Sequence, residues 1–549
     1  MSESFTSRIN KHVADALAGY RPTVSREKTI HDPIWGSTVF RPWEVRIIDS
    51  PLFQRLRRVN QLGLAETTYP AARHTRFEHS LGVAAVASRM MEQVRANCTD
   101  EQREKIVTEA EIRLVRLAAI LHDVGHCPYS HLSEAVYGRM PEFLAEREEL
   151  IRKVGQPVDP KPHEVFSYLI VTSDAFAEFF ASFAGYPGVE NTEQAKKVLK
   201  AAANMIIGAY NEKTTDDGVV RYSYLTSVIN GNFDADKLDY TQRDSYTSGI
   251  ALTYGVERFL LKLTLCRTEE DGVVDYRLAM PPDALSTVEE LLFNRSMLYH
   301  YMYNHQKVLA AESQMRDAIY ALVTTGKVAH PCDFLTLNNA DLTSLYLSDE
   351  RPFAACGAPQ RTMRSLMGDL SDRELMKRAV ELSPEDFAGY GLKEKKIART
   401  LDRLRLGDEE ALEYMVDTWE RETLYPKGIE QYIRFLGACS MEGYIAERRR
   451  VAERIAAACR EAGVSANFDA FDLAISFLPP AKVDLRLTVT DRAGNLLEMS
   501  DAIERIRKWT ETLSLSKWRG YLFVSPRVDR AIAKRVFWEY LDEKIRDAE

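Results

Sequence analysis

Apolar residues recur at spacings of three and four over most of this chain, which predicts a body built of helices. Val45 to Leu62 has that spacing. Within it, Ser50 followed by Pro51 marks a helix start, because the hydroxyl caps the first turn and proline needs no amide partner there. Phe77 to Val94 and Glu111 to Leu121 repeat the pattern, the latter ending at His122-Asp123 ahead of Gly125 and Pro128. Pro33, Gly36, Pro42 and Pro51 punctuate the entry, so residues 1–44 read as an irregular segment. Helical spacing holds to about Ala470 and then gives way to alternation. Phe471 to Phe477 and Val483 to Val489 read as strands, Asp491 to Asn495 as a turn, and Gly520 to Val524 as a third strand. The expectation is a mainly α fold: a helical core over 45–330, a helical extension over 331–465 and a small α+β domain over 466–549.

A chain of 549 residues is too long for one simple core, and roughly two to four domains are expected. With 45% apolar and 28% charged residues, it has the composition of a globular protein. Its net charge of −9 argues against a general nucleic-acid-binding surface but leaves room for a local basic pocket. The seven cysteines are scattered and form no CxxC pair, which predicts neither a disulfide framework nor a structural zinc site and fits a reducing cytoplasm. No apolar run reaches transmembrane length, and Met1 to Tyr20 lacks the apolar core of a leader, so no membrane association is expected.

Chemistry concentrates in one place. Of 11 histidines, His74, His79, His122, His126, His131 and His163 lie between positions 74 and 163. His79 falls early on one predicted helix, His122-Asp123 at the end of another, and Asp236 on a third. Adjacent helical residues point about 100° apart, so His122 and Asp123 share an ion only at a helix end, where Gly125 and Pro128 turn the chain. Two imidazoles with two carboxylates suit a divalent ion such as Mn, Fe, Co, Ni, Zn or Mg. On an octahedral ion that set leaves open positions, as catalysis requires.

These residues carry a resemblance. The order His79, His122-Asp123, Asp236 is similar to that of the HD superfamily of metal-dependent phosphohydrolases. Gln54 to Arg57, Gln61-Leu62-Gly63, Arg76 to Gly82, His122 to His126, Pro128 to His131 and Asp236 to Tyr240 more closely resemble its deoxynucleoside triphosphate triphosphohydrolases, including the animal group that joins a SAM domain to the HD domain. The likeness runs from about Lys28 to Lys307. It implies hydrolysis of a dNTP at the α-phosphate to deoxynucleoside and inorganic triphosphate. His79, His122, Asp123 and Asp236 would then be metal ligands, and Arg76 and Lys237 would hold phosphates. His126, His131 and His163 would line the scissile bond, with Glu134 and Glu164 orienting them. Tyr240 and Asp244 would contact the deoxyribose, Gln61, Leu62 and Tyr303 would close the sugar pocket, and Arg295 would reach the γ-phosphate. The leaving 5′-alkoxide needs a proton, and His131 backed by Glu134 is the expected general acid.

Asn304 stands where the animal enzymes have Gln near the base, so base preference is open. Asp49, Gln54 and Arg57, with Lys28, match a guanine-reading activator site, which suggests activation by GTP or dGTP. A carboxylate takes guanine's Watson–Crick donors, and Arg reaches O6 and N7. Arg258 and His305 fit the adjoining nucleotide site, but Gly255 replaces its acidic base reader. Sites of this kind lie between subunits, so the resemblance also implies a homo-oligomer, with a tetramer favoured. Two other functions use the same motifs: an HD-type phosphodiesterase or nuclease, and a nucleotide-sensing regulator gated by a partner. The charge-rich stretches Glu142 to Lys153 and Glu447 to Arg460 read as solvated helix faces.

Overall fold

Phe5, Ile9, Val13 and Leu17 recur every fourth residue, and these four side chains are the buried face of α1 (Phe5–Leu17). The structure is a computed structural model. It describes residues 3–215, 218–252, 254–347, 352–353, 358–390, 426–479, 487–491, 496–497 and 500–548. The segment 1–44, expected to be irregular, holds α1 and a hairpin of β1 (Lys28–Asp32) and β2 (Gly36–Phe40). The proline and glycine punctuation hides an amphipathic helix whose Phe5 ring packs on Phe143 and Phe166 at 6.2 and 6.0 Å.

The described chain divides into two compact units. The first comprises Met1–Leu298, Val328–Leu345 and Leu485–Ile503. The helix expected over Val45 to Leu62 is two short ones, Pro42–Ile48 and Pro51–Gln54, followed by a 3-10 turn. Ser50 interrupts them and accepts the Phe53 amide at 3.4 Å. The central element, α2 (Arg76–Asn97), starts in a capping box of Thr75 and Glu78 and is buried around most of its circumference. Its small residues from Gly82 to Ala87 let neighbouring helices approach closely. α3 (Glu109–Leu121) and α6 (Ala235–Ser248) pack against it, α4 (His131–Tyr137) brings His131 to Arg76, and α5 (Pro162–Val171) meets the end of α3 through Ser167.

Helical spacing does not hold through this unit as expected. β3 (Glu212–Thr215) and β4 (Gly218–Arg221) are antiparallel. β5 (Thr264–Glu270) and β6 (Val273–Met280) form a hairpin whose turn, Asp271-Gly272, has φ of 51° and 75°. Asp-Gly suits that turn because both residues tolerate the left-handed region. β6 also pairs in parallel with β4 and with Thr488–Val489. α7 (Leu285–Leu298) closes the unit.

The second unit comprises Tyr299–Lys327, Tyr346–Asp484 and Glu504–Glu549. It contains α8 (Gln306–Thr324), β7 (Lys377–Leu382), α9 (Met441–Glu461), β8 (Leu473–Phe477), β9 (Gly520–Val524) and α10 (Arg530–Ala548). The three strands are antiparallel in the order β8-β9-β7. Leu309, Ala310, Met376, Ala474, Tyr521 and Phe523 pack in its core. The expected strands at 471–477 and 520–524 are found as β8 and β9, each buried at every position, but their third partner is β7, so the expected boundaries at 330 and 465 do not coincide with this division. Much of the expected strand 483–489, and most of the turn after it, lie outside the described residues.

Glu447 to Arg460 is not simply a solvated face. Arg448 is fully buried and grips Asp317 through two hydrogen bonds of 2.6 and 2.8 Å. Among the described residues, no single helix is long and apolar enough to cross a membrane.

Candidate active site

Four side chains converge where α2, α3 and α6 meet. Asp234 caps α6 by accepting the Lys237 amide at 2.7 Å. That places Asp236 and Asp239, three residues apart, on one helical face. His79 lies on α2 with its Nε2 3.0 Å from Asp236 Oδ1 and 3.6 Å from Asp123 Oδ2. His122 Nε2 is 3.3 Å from Asp123 Oδ1 and 4.0 Å from Asp236 Oδ1. The turn that presents His122-Asp123 is locked by Ser167, whose hydroxyl donates to the His122 carbonyl at 2.6 Å and accepts the Gly125 amide at 2.9 Å. A Cβ at Gly125 would meet the His163 carbonyl and the Ser167 nitrogen at 2.4 Å.

The donor set fits a divalent cation. His79 Nε2 and His122 Nε2 are buried without a satisfactory hydrogen bond, and the ligand atoms of His79, His122 and Asp123 lie within 4.8 Å of one another. Each imidazole is oriented from behind. His122 Nδ1 donates to the Ala119 carbonyl at 2.7 Å and His79 Nδ1 to Asp239 at 2.7 Å, leaving Nε2 of each for a metal. Burial alone would lower the His79 pKa. The close approach of the Asp236 carboxylate to Nε2, the hydrogen bond to Asp239 and the charges of Asp239 and Asp123 outweigh it, holding the ring at about 10. Burial likewise acts to raise Asp123 and Asp236, but the first is held well below the usual carboxylate range by Arg76, His122 and His126, the second by His79 and His122.

Asp239 belongs to the site although sequence reasoning assigned it no role. Its carboxylate accepts His79 Nδ1, Trp35 Nε1 at 2.5 Å, and Arg243 Nε and a terminal nitrogen at 2.8 and 2.9 Å. Arg243 also grips Asp32 at 2.8 Å. Burial would raise Asp239; Arg243 and His79 bring it to about 2. Gly82 leaves the room this requires, since a Cβ there would stand 1.9 Å from Asp239 Oδ1. The available signal is the three-residue spacing from Asp236.

Beside these four side chains, Glu134 clamps three imidazoles. Its Oε1 lies 2.9 Å from His163 Nδ1 and 3.1 Å from His126 Nδ1, and its Oε2 lies 3.1 Å from His131 Nδ1. His126 and His163 stack with ring centres 3.9 Å apart. Burial, Arg76 and His163 drive the His126 pKa down to about 3. Burial acts the same way on His163, but Glu134 outweighs it and raises that ring. The stacked pair therefore holds one neutral and one readily protonated imidazole. Glu134 itself, which burial would raise, is held well below the carboxylate range by His163 and His131.

Glu164 does not share the orienting role expected of it. It sits at the third position of α5, where its Oε2 accepts the Lys161 amide at 2.8 Å, and Glu134 takes the His163 ring instead. His131 is 63% exposed, with Nε2 3.5 Å from an Arg76 terminal nitrogen. It follows Tyr129 and Ser130, both at positive φ (56° and 49°). Such strain costs roughly 1–3 kcal/mol per residue and persists only where surroundings impose it. Here Ser130 Oγ donates to the Asn60 carbonyl at 2.5 Å and accepts Arg76 Nε at 3.0 Å, while the Tyr129 amide donates to Asn339 at 3.0 Å. Arg76 continues to Asp123 at 2.8 Å.

Lys237 Nζ rests on Asp234 at 2.6 Å. Asp244 is buried 2.9 Å from His74 Nε2. Gln61 is buried with its side-chain oxygen unpaired, while Leu62, Tyr240 and Arg295 are half-buried. Tyr303, Asn304 and His305 belong to the second unit, in the turn that leads into α8. Of the expected activator residues, Lys28 pairs with Asp49 at 2.6 Å. Gln54 anchors to the Ile48 carbonyl and accepts Arg57 at 2.8 Å, and Arg57 lies 3.5 Å over the Phe77 ring. Arg258 is exposed on Val256–Leu261.

Residues 76–205 match the HD domain. The chain is similar to the deoxynucleoside triphosphate triphosphohydrolase SAMHD1 of Bos taurus, at 28% identity over 53% of this chain and 47% of that protein. It is also similar to an uncharacterized protein of Methanocaldococcus jannaschii, at 29% identity over 53% of this chain and 49% of that one. The chain thus spans about half the length of the curated relatives it matches. A solved structure, a hypothetical protein from Aquifex aeolicus, shares the fold over 94% of this chain and 99% of its own, with a TM-score of 0.55 and 18% identity.

Proposed function

We propose that this chain, an HD-superfamily protein with a dNTP-triphosphohydrolase-like core, hydrolyses dNTPs to deoxynucleoside and inorganic triphosphate. The observation that carries this reading is the apposition of two sets: the buried His79, His122 and Asp123 with the half-buried Asp236 beside them, and the three imidazoles gathered by Glu134. The first set would hold a divalent cation, which when bound polarises the phosphoryl group and acidifies a water. Arg76 orients phosphate oxygens through the terminal nitrogen that does not face Asp123; that nitrogen's contacts to the Gln61 carbonyl and His131 are both long, at 3.5 Å. A water oxygen attacks the α-phosphorus, its proton passing to solvent, and the bond from that phosphorus to O5′ breaks. His131, exposed toward solvent and fixed by Glu134, gives its proton to the departing 5′-oxygen. His126, neutral at physiological pH, and His163, with its raised pKa, bracket the scissile group. Asp244, Tyr240, Gln61 and Leu62 receive the sugar, and Arg295 the γ-phosphate.

GTP or dGTP binding at Lys28, Asp49, Gln54 and Arg57 belongs to the same reading, supported by their two linked pairs. So does assembly into a homo-oligomer, since such a face is completed by another subunit. The test is turnover of the four dNTPs with Mn²⁺, with and without GTP, against His122→Ala. Metal-dependent deoxynucleoside release, lost in the variant, supports the proposal; release of nucleoside monophosphate, or no turnover in any mixture, overturns it.

A further inference from the structure

His122, His163, Asp236 and Lys237 line one pocket, and Lys161 and Glu164 line it as well. Lys161 lies between Pro160 and Pro162. A residue before proline is confined to extended backbone, and Lys161 is so at φ −68° and ψ 160°. Its amide is further held by Glu164 Oε2 at 2.8 Å. The backbone that aims this side chain is therefore fixed before any ligand arrives.

The charges of Glu164, Asp236, Asp234 and Glu134 act on the ammonium, but none of these carboxylates is within hydrogen-bond range of it. Its nearest carboxylate oxygen, on Glu164, is 3.8 Å away, beyond hydrogen-bond range. The side chain is 57% exposed, and an exposed pair of that kind contributes only about 0–1 kcal/mol. Lys237, by contrast, gives one of its three donors to Asp234. Among the described residues no hydrogen bond is formed by Lys161 Nζ, so its three donors are available on the wall of a pocket that reaches the metal ligands.

We propose that Lys161 is a phosphate-binding residue of this pocket, holding the distal phosphates of a bound triphosphate together with Lys237. The inference rests on the hydrolase reading above and adds to it a cause of selection for the triphosphate chain: three linked phosphates are expected to engage both ammonium groups, and orthophosphate one. A hydrogen bond to a charged group contributes about 1.5–3 kcal/mol; at this half-exposed position the lower end, about tenfold in affinity, is expected.

The experiment uses the full chain with Mn²⁺ and inorganic tripolyphosphate as a competitive inhibitor of dNTP turnover, with orthophosphate in parallel. In Lys161→Ala the tripolyphosphate inhibition constant and the dNTP KM should each rise about tenfold, more than kcat falls and more than orthophosphate inhibition changes. Lys161→Arg should restore most of both. Unchanged tripolyphosphate inhibition in Lys161→Ala overturns the proposal, as does a loss equal for tripolyphosphate and orthophosphate. Deoxynucleoside release by the unmodified chain separates this outcome from failure of the hydrolase reading, because that release does not depend on what Lys161 does.

Discussion

Replacing Asp239 with Asn tests whether the metal site is built from behind, without touching a ligand. The carboxylate is fully buried and takes four donors, from His79, Trp35 and twice from Arg243, all within 2.5–2.9 Å. Asparagine keeps the shape, but its amide nitrogen cannot accept, so at least one donor is left facing another donor. Breaking a buried ion pair by removing one partner costs about 3–5 kcal/mol. Arg243 retains Asp32 at 2.8 Å, so the expected loss of stability is smaller, about 2–4 kcal/mol. Freeing a ligand imidazole from its orienting carboxylate weakens metal binding about 10–100-fold. The assay is calorimetric titration of Mn²⁺ into both proteins at a temperature where both are folded, with thermal melts alongside. A cooperatively folded Asp239→Asn protein whose metal affinity stays within about twofold of the parent would refute the reasoning.

Other consequences follow from the same contacts. Gly82→Ala puts a methyl group 1.9 Å from Asp239 Oδ1 and should cost at least the roughly 1–3 kcal/mol of an overpacked core, together with metal affinity, in melts and titrations. Without metal, His79 holds a proton up to about pH 10, so binding must expel it. Apparent Mn²⁺ affinity should rise about tenfold per pH unit between roughly pH 6 and 8, and a flat profile would contradict the arrangement. Glu134 has a depressed folded pKa, so its contribution is present above the unfolded carboxyl pKa and is lost as pH falls through the folded value. Glu134→Gln should lower stability at neutral pH, narrow the gap to the parent in acid, and reduce kcat by about 10²–10⁴-fold. In the second unit, Asp317→Ala leaves Arg448 buried and unpaired and should cost about 3–5 kcal/mol by denaturant titration.

The grouping of His79, His122, Asp123 and Asp236 is legible in the sequence because each sits in a local context that fixes its position: a helix start, a helix end before Gly125, and a capped turn at Asp234. The supporting carboxylate is harder to read. Asp239 acquires its role through Trp35, Asp32 and Gly82, and only the folded chain shows that these distant residues meet it. Glu134 and Glu164 are equally plausible partners for His163 on paper; the capping requirement of α5 assigns Glu164 elsewhere. α1 escapes notice because its short apolar stripe precedes a proline-rich stretch, and β5–β6 because their Asp271-Gly272 turn lies among helices. Arg448 looks like part of a solvated charge run, and nothing local reveals that Asp317, far away in sequence, receives it.

The central claim is attack at the α-phosphorus, and the oxygen of water reports it. Turnover of a dNTP with Mn²⁺ in ¹⁸O-labelled water, followed by mass spectrometry of both products, should place the label in tripolyphosphate and leave the deoxynucleoside unlabelled. Label in orthophosphate or pyrophosphate, alongside a nucleoside di- or monophosphate, would contradict the account.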